Sequence, residues 1–161
     1  MINAQFHDRD KNHGLRNQSF VGFFEHYNVV LKGEINRMAK INISAGNISL
    51  EAEILDTPTA SKILEALPLE SSANVWGDEI YFDIPLRLEQ EPDARADVEV
   101  GDLAYWPAGP AFCLFFGPTP VSTGDQPRAY SPVNVFGRVS GDTGQFRTVS
   151  NGAVIKITPA E

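Results

Sequence analysis

From Ile41 onward, apolar residues fall on alternate positions: Ile41 and Ile43, then, past Ala45-Gly46-Asn47, Ile48, Leu50, Ala52 and Ile54. A period of two puts each set on one face of a strand, and the glycine between them marks a turn. Residues 40–54 therefore read as a β-hairpin. The period then changes. Ala60, Ile63, Leu64 and Leu67 form one stripe at helical spacing, with Thr57 as cap, Pro58 at the first helical position and Pro68 as the stop. This spacing predicts a helix from Pro58 to Ala66.

Residues 69–76 and 79–84 read as two further strands joined by Gly77-Asp78, a pair suited to a tight hairpin turn, and Pro85 ends the second. Four more strand-like runs follow at 102–107, 111–117, 134–140 and 153–158, parted by Gly and Pro. The stretch 89–99, with Glu89, Glu91, Asp93, Asp97 and Glu99, reads as a solvated acidic connection. About eight strands with one or two helices predict a mainly β fold closed into a barrel, because closure removes exposed edges. No internal repeat is visible.

Residues 1–37 have a different character. They hold His7, His13 and His26, and they precede a Met38-Ala39-Lys40 that reads like a chain start, so they are taken as an N-terminal extension. Phe20, Phe23, Phe24, Tyr27 and Leu31 recur at helical spacing after a cap at Ser19, while residues 27–32 also suit a strand. An aromatic face of this kind needs a surface to cover. Two sources are available: the barrel itself, or a second copy of the chain in a homodimer.

The length of 161 residues suits one domain with one core, here residues 38–161, and 42% hydrophobic with 21% charged residues gives no reason to expect disorder. A formal net charge of −8 repels phosphate backbones and argues against a nucleic-acid partner. Residues 1–14 lack an apolar signal core and no apolar run is long enough to span a bilayer, which predicts no membrane association and a cytoplasmic location. The single cysteine, Cys113, lies within Ala111-Phe112-Cys113-Leu114-Phe115-Phe116 and reads as a small buried hydrophobe.

With no histidine after His26, a nucleophilic triad or a transition-metal site would have to borrow from the extension. No glycine-rich phosphate loop is present either, so neither metal nor cofactor is expected. Four carboxylates lie near apolar residues. Asp78 reads as a turn residue, Asp83 as an outward strand position and Asp102 as a corner after Gly101. Glu79 is different, because it starts an aromatic strand beside Trp76 and is placed to face the barrel's mouth. Trp76, Tyr81, Tyr105 and Trp106 combine apolar rings with polar tips and are the pocket candidates, with Phe112 and Phe115 as an apolar wall. Arg138, beside Gly137, either pairs with a carboxylate or faces a ligand anion. The Pro- and Gly-rich segments 117–120 and 124–132 are candidate rims.

Five segments in order carry a family resemblance: Ile63-Leu64-Glu65-Ala66-Leu67-Pro68, Trp76-Gly77-Asp78-Glu79-Ile80-Tyr81-Phe82, Gly101-Asp102-Leu103-Ala104-Tyr105-Trp106-Pro107, Phe112-Cys113-Leu114-Phe115-Phe116-Gly117-Pro118 and Ser131-Pro132-Val133-Asn134-Val135-Phe136-Gly137-Arg138-Val139. The chain resembles, over residues 38–142, the bacterial and archaeal cyclophilin-like family of small uncharacterised proteins. That resemblance implies a closed eight-stranded cyclophilin-like barrel with a helix plugging one end. In the cyclophilins themselves the double-Phe strand lines the substrate groove, which adds weight to Phe112 and Phe115. Prolyl isomerisation there depends on an arginine after the first helix and on a histidine and a tryptophan in a later loop. Here no arginine lies between Met38 and Leu86 and no histidine follows His26. The expectation is a non-catalytic domain that binds a small molecule or short peptide in an aromatic pocket. A divergent prolyl isomerase and an oligomeric interaction protein are the alternatives.

Overall fold

Lys40–Ala45 (β1) and Ile48–Ile54 (β2) form the predicted hairpin, with Ile41 opposite Ala52 and Ile43 opposite Leu50, so the two alternating sets face the same side. The computed structural model describes residues 38–160. The helix, strand and homodimer expected of residues 1–37 lie outside the described residues. The helix α1 runs over Pro58–Ala66, as its sequence signals require. Thr57 Oγ1 accepts the Ala60 N–H at 3.0 Å, Ala60 and Ile63 are buried, and Leu67, forced extended by the following Pro68, ends it.

Beyond the helix the strands are Leu69–Ser72 (β3), Asn74–Val75 (β4), Glu79–Asp83 (β5), Arg95–Asp97 (β6), Asp102–Trp106 (β7), Ala111–Phe115 (β8), Arg128–Val139 (β9) and Val154–Pro159 (β10). A short 3-10 helix, Thr143–Thr148, precedes β10, and its Phe146 is buried against Phe116. Among the described residues no helix is long and apolar enough to cross a membrane.

The sheet runs β3-β10-β1-β2-β9-β7-β8-β5-β4, with β6 on β9. The mainly β class is as expected, but the closed eight-stranded barrel is corrected to a ten-stranded sheet whose end strands do not pair with each other. The cause is local. Residues 69–76, expected as one strand, divide at Ala73: β3 pairs with β10, and β4 pairs with β5. Ala73 itself donates to the Ala153 carbonyl and accepts from the Gly152 N–H. The sheet therefore ends on two consecutive pieces of chain rather than on a ladder.

Two other segments are more ordered than their composition suggests. Within the acidic connection, Arg95–Asp97 pairs with β9, and Arg128 Nη1 reaches Asp97 Oδ1 at 2.6 Å. β9 begins at Arg128, six residues before the expected Asn134. Pro132 is tolerated inside it because the β6 ladder there is short and irregular in register.

Alternation along β5, β7 and β8 creates two apolar clusters. One face of these strands carries Ile80, Phe82, Leu103, Tyr105, Phe112 and Leu114 into the main core with Ile41, Ile43, Ile63 and Phe136. The opposite face carries Ala104, Ala111, Cys113 and Phe115 into a smaller cluster with Val98, Ala129, Val133 and Val135. A register irregularity between Leu103 and Ala104 lets Phe136 and Val139, three residues apart on β9, both reach the main core.

Asn134 ties the sheet to the helix and to the segment after β5. Its Nδ2 donates to Thr59 Oγ1 at 3.0 Å and to the Glu89 carbonyl at 2.9 Å, and its Oδ1 accepts the Glu91 N–H at 2.8 Å. The side chain is fully buried, so truncation strands these groups away from water. Asn134→Ala is expected to lower unfolding free energy by about 2 kcal/mol, measured by urea titration. An unchanged midpoint would show that water replaces the network.

Candidate functional site

The smaller cluster does not fill its side of the sheet. Above it lies a cavity of about 240 Å³, reached by β5, β7, β8 and β9. Its base is formed by the buried Glu79, Cys113, Ala129 and Val133, and its more exposed walls by Trp76, Tyr81, Trp106 and Tyr130.

Each wall has a local cause. Gly77, at φ +60°, turns the chain between Trp76 and Glu79, which exchange backbone hydrogen bonds of 2.9 and 3.2 Å. The period of two along β5 then sends Glu79 and Tyr81 to the cavity and Ile80 and Phe82 to the main core. Across the ladder, Cys113 lies opposite Tyr81 on one side and Ala104 on the other. Trp106 is fixed at both ends of its ring: Nε1 donates to Ser131 Oγ at 2.6 Å, and the six-membered ring sits where a Cβ on Gly109 would be. Tyr130 stands between the two indoles, edge-to-face with Trp76 at 6.3 Å and with Trp106 at 6.1 Å.

Glu79 is 6% exposed, and burial pushes its carboxyl up to about 7, partly offset by the hydrogen bond from the Cys113 thiol. The Cys113 thiol is pushed well above its ordinary range by burial first and by the Glu79 charge second. It therefore stays protonated as a donor rather than becoming a nucleophile. Among the described residues no three His, Cys, Asp or Glu side chains converge to hold a metal ion.

Of the eight residues singled out in the sequence, Trp76, Glu79, Tyr81 and Trp106 line this cavity. Tyr105 and Phe112 do not, because neighbours on a strand point to opposite faces. Tyr105 is buried in the main core, its hydroxyl donating to the Leu86 carbonyl and accepting the Leu88 N–H. Phe112 stacks on Phe82 in the same core. Phe115 faces the cavity's side but is covered within the smaller cluster. Arg138 is engaged elsewhere, paired with Glu99 and, at 2.9 Å, with the buried Asp102, so it serves the ion-pair reading rather than a ligand anion. Sequence reasoning placed Ala129 and Tyr130 only within the candidate rim 124–132, read as loop rather than strand, and missed Val133. It also treated Cys113 only as packing, although Cys113 shares the strand face that continues to the cavity.

A family model described as cyclophilin-like matches residues 39–158. The chain belongs to the cyclophilin-like family. Among solved structures it is similar to that of a hypothetical protein from Archaeoglobus fulgidus, determined in solution, at 38% identity and a TM-score of 0.65. The similarity covers 76% of this chain and 95% of that one. A search of curated proteins finds no match. The cyclophilin-like match spans every cavity-lining residue from Trp76 to Val133.

Proposed function

We propose that this cyclophilin-like domain is a binding protein that holds a small molecule, or one side chain of a short peptide, in the cavity between Trp76, Trp106 and Tyr130. The observation that carries the reading is the convergence of four aromatic side chains and one buried carboxyl on a single concave site. At about 240 Å³ it falls below the roughly 300–1,000 Å³ of drug-sized sites, so the ligand or its inserted part is small. Binding without turnover is favoured by the chemistry on offer. The thiol is held protonated, and the arginine and histidine on which cyclophilin isomerases depend have no counterparts in residues 38–86 or after His26.

Both tryptophans of the chain line the cavity, so every indole signal reports on it. The full chain, incubated with a metabolite extract and examined by native mass spectrometry, is expected to retain a small mass that Trp76→Ala loses. The two indole N–H resonances are expected to shift when that compound is added back. No retained mass and unmoved indole resonances would overturn the reading.

A further inference from the structure

The most informative feature of the cavity is a mismatch of charge. Glu79 is buried at its base, yet among the described residues no lysine or arginine lines the cavity and none of the ion pairs includes Glu79. Its side-chain hydrogen-bond partner among the described residues is a neutral thiol. A buried carboxylate without a counter-charge is costly, and a ligand that supplies the charge removes that cost. The surrounding rings narrow the choice of ligand. Trp76, Trp106 and Tyr130 are electron-rich, and mutual edge-to-face packing sets neighbouring rings at 70° and 76° to one another, as sides of an enclosure rather than a flat stack. Such rings attract diffuse cations through the negative potential of their faces, most strongly where water is excluded. The formal charge of −8 over the whole chain favours approach by cations as well.

We propose that the cavity takes a small organic ammonium cation, its alkyl groups packed against Trp76, Trp106 and Tyr130 and its charge balanced by Glu79. An anion would meet the Glu79 carboxylate with nothing to offset it. A neutral apolar ligand would use the rings and leave the carboxylate buried alone. A metal ion would find one carboxylate and one thiol, too few ligands of the right kind. The other titratable side chains lining the cavity are Cys113 from β8, hydrogen-bonded to Glu79, Tyr81 from its own strand and Tyr130 from β9. With its carboxyl at about 7, Glu79 is anionic on the alkaline side, so cation binding strengthens as pH rises through that value.

This inference rests on the cavity being a binding site, and its test separates the two. The full chain is titrated with choline and with the neutral isostere of choline in which carbon replaces nitrogen, by calorimetry and by the shifts of the two indole N–H resonances. Choline is expected to bind at least about tenfold more tightly about one pH unit above the Glu79 value. Most of that advantage is expected to be lost about one unit below it and in Glu79→Gln, leaving the smaller part that the aromatic faces supply. If the isostere binds as tightly as choline in the native chain, the cation inference is overturned while the cavity reading stands. If neither binds, the cation inference is overturned, and the retained-mass experiment above decides whether the cavity reading falls with it.

Discussion

Raising the pH from about 4.5 to above 7 is expected to cost the protein about 3 kcal/mol of folding stability through Glu79 alone. The sign follows from where the proton sits. In the unfolded chain this carboxyl has its ordinary value of 4.5, and in the folded protein burial raises it to about 7. Between these values the folded state binds a proton that the unfolded state has released, so stability falls as pH rises across the window. Below 4.5 both states are protonated and the contribution is fully present; above 7 both are ionised and it is fully lost. Urea titrations of the native chain and of Glu79→Gln across this range isolate the effect, since other groups titrate in both. The difference between the two curves is expected to grow steadily with pH and then level off. Parallel curves would show that water or a counter-charge reaches Glu79, and the buried-carboxyl description would be abandoned.

This carboxyl was also the acidic residue that the sequence singled out, and the reason is physical. Glu79 follows a Gly-Asp turn and opens the run Ile80-Tyr81-Phe82, so strand periodicity fixes its side once the turn is fixed. The hairpin, α1, β5, β7 and β8 were legible for the same reason: short-range chemistry at turn and cap residues such as Gly46, Thr57, Pro58, Gly77 and Gly101 sets their ends. What was not legible depends on partners distant in sequence. Nothing local says that residues 69–76 divide at Ala73, because the division is made by pairing with β10 and β5. Arg95–Asp97 is too short and too charged to read as a strand without β9 beside it.

The candidate site shows the same limit on a finer scale. Tyr105 and Trp106 were chosen together for their composition, yet a strand cannot send successive residues to one face, and only Trp106 reaches the cavity. Strict application of alternation from Glu79 and Tyr81 across the ladder would have selected Cys113 over Phe112, since Cys113 is the residue opposite Tyr81. Tyr130 carried no strand signal and was marked only as part of the candidate rim 124–132. It is 74% exposed, three residues from a proline-flanked break, and becomes a cavity wall only because β9 extends back to Arg128.

The division into two faces has a consequence large enough to measure directly. Phe112 is fully buried in the main core, stacked on Phe82 at 5.0 Å and edge-to-face with Phe136 at 5.2 Å. Truncation to alanine removes these contacts and leaves a void that rigid neighbouring strands do not fill. Phe112→Ala is therefore expected to lower unfolding free energy by about 3–5 kcal/mol and Tm by on the order of 10 °C. Measured at a temperature where the variant is still folded, its affinity for any cavity ligand should match that of the native chain, because the ring lies on the opposite side of β8. Trp106→Ala should do the reverse. Its indole is half-buried, so the loss of stability is smaller, but a cavity wall disappears and affinity falls about tenfold or more. Equal losses of affinity in both variants would mean that the two clusters move as one body. The cavity would then be a property of the whole core rather than of one face of the sheet.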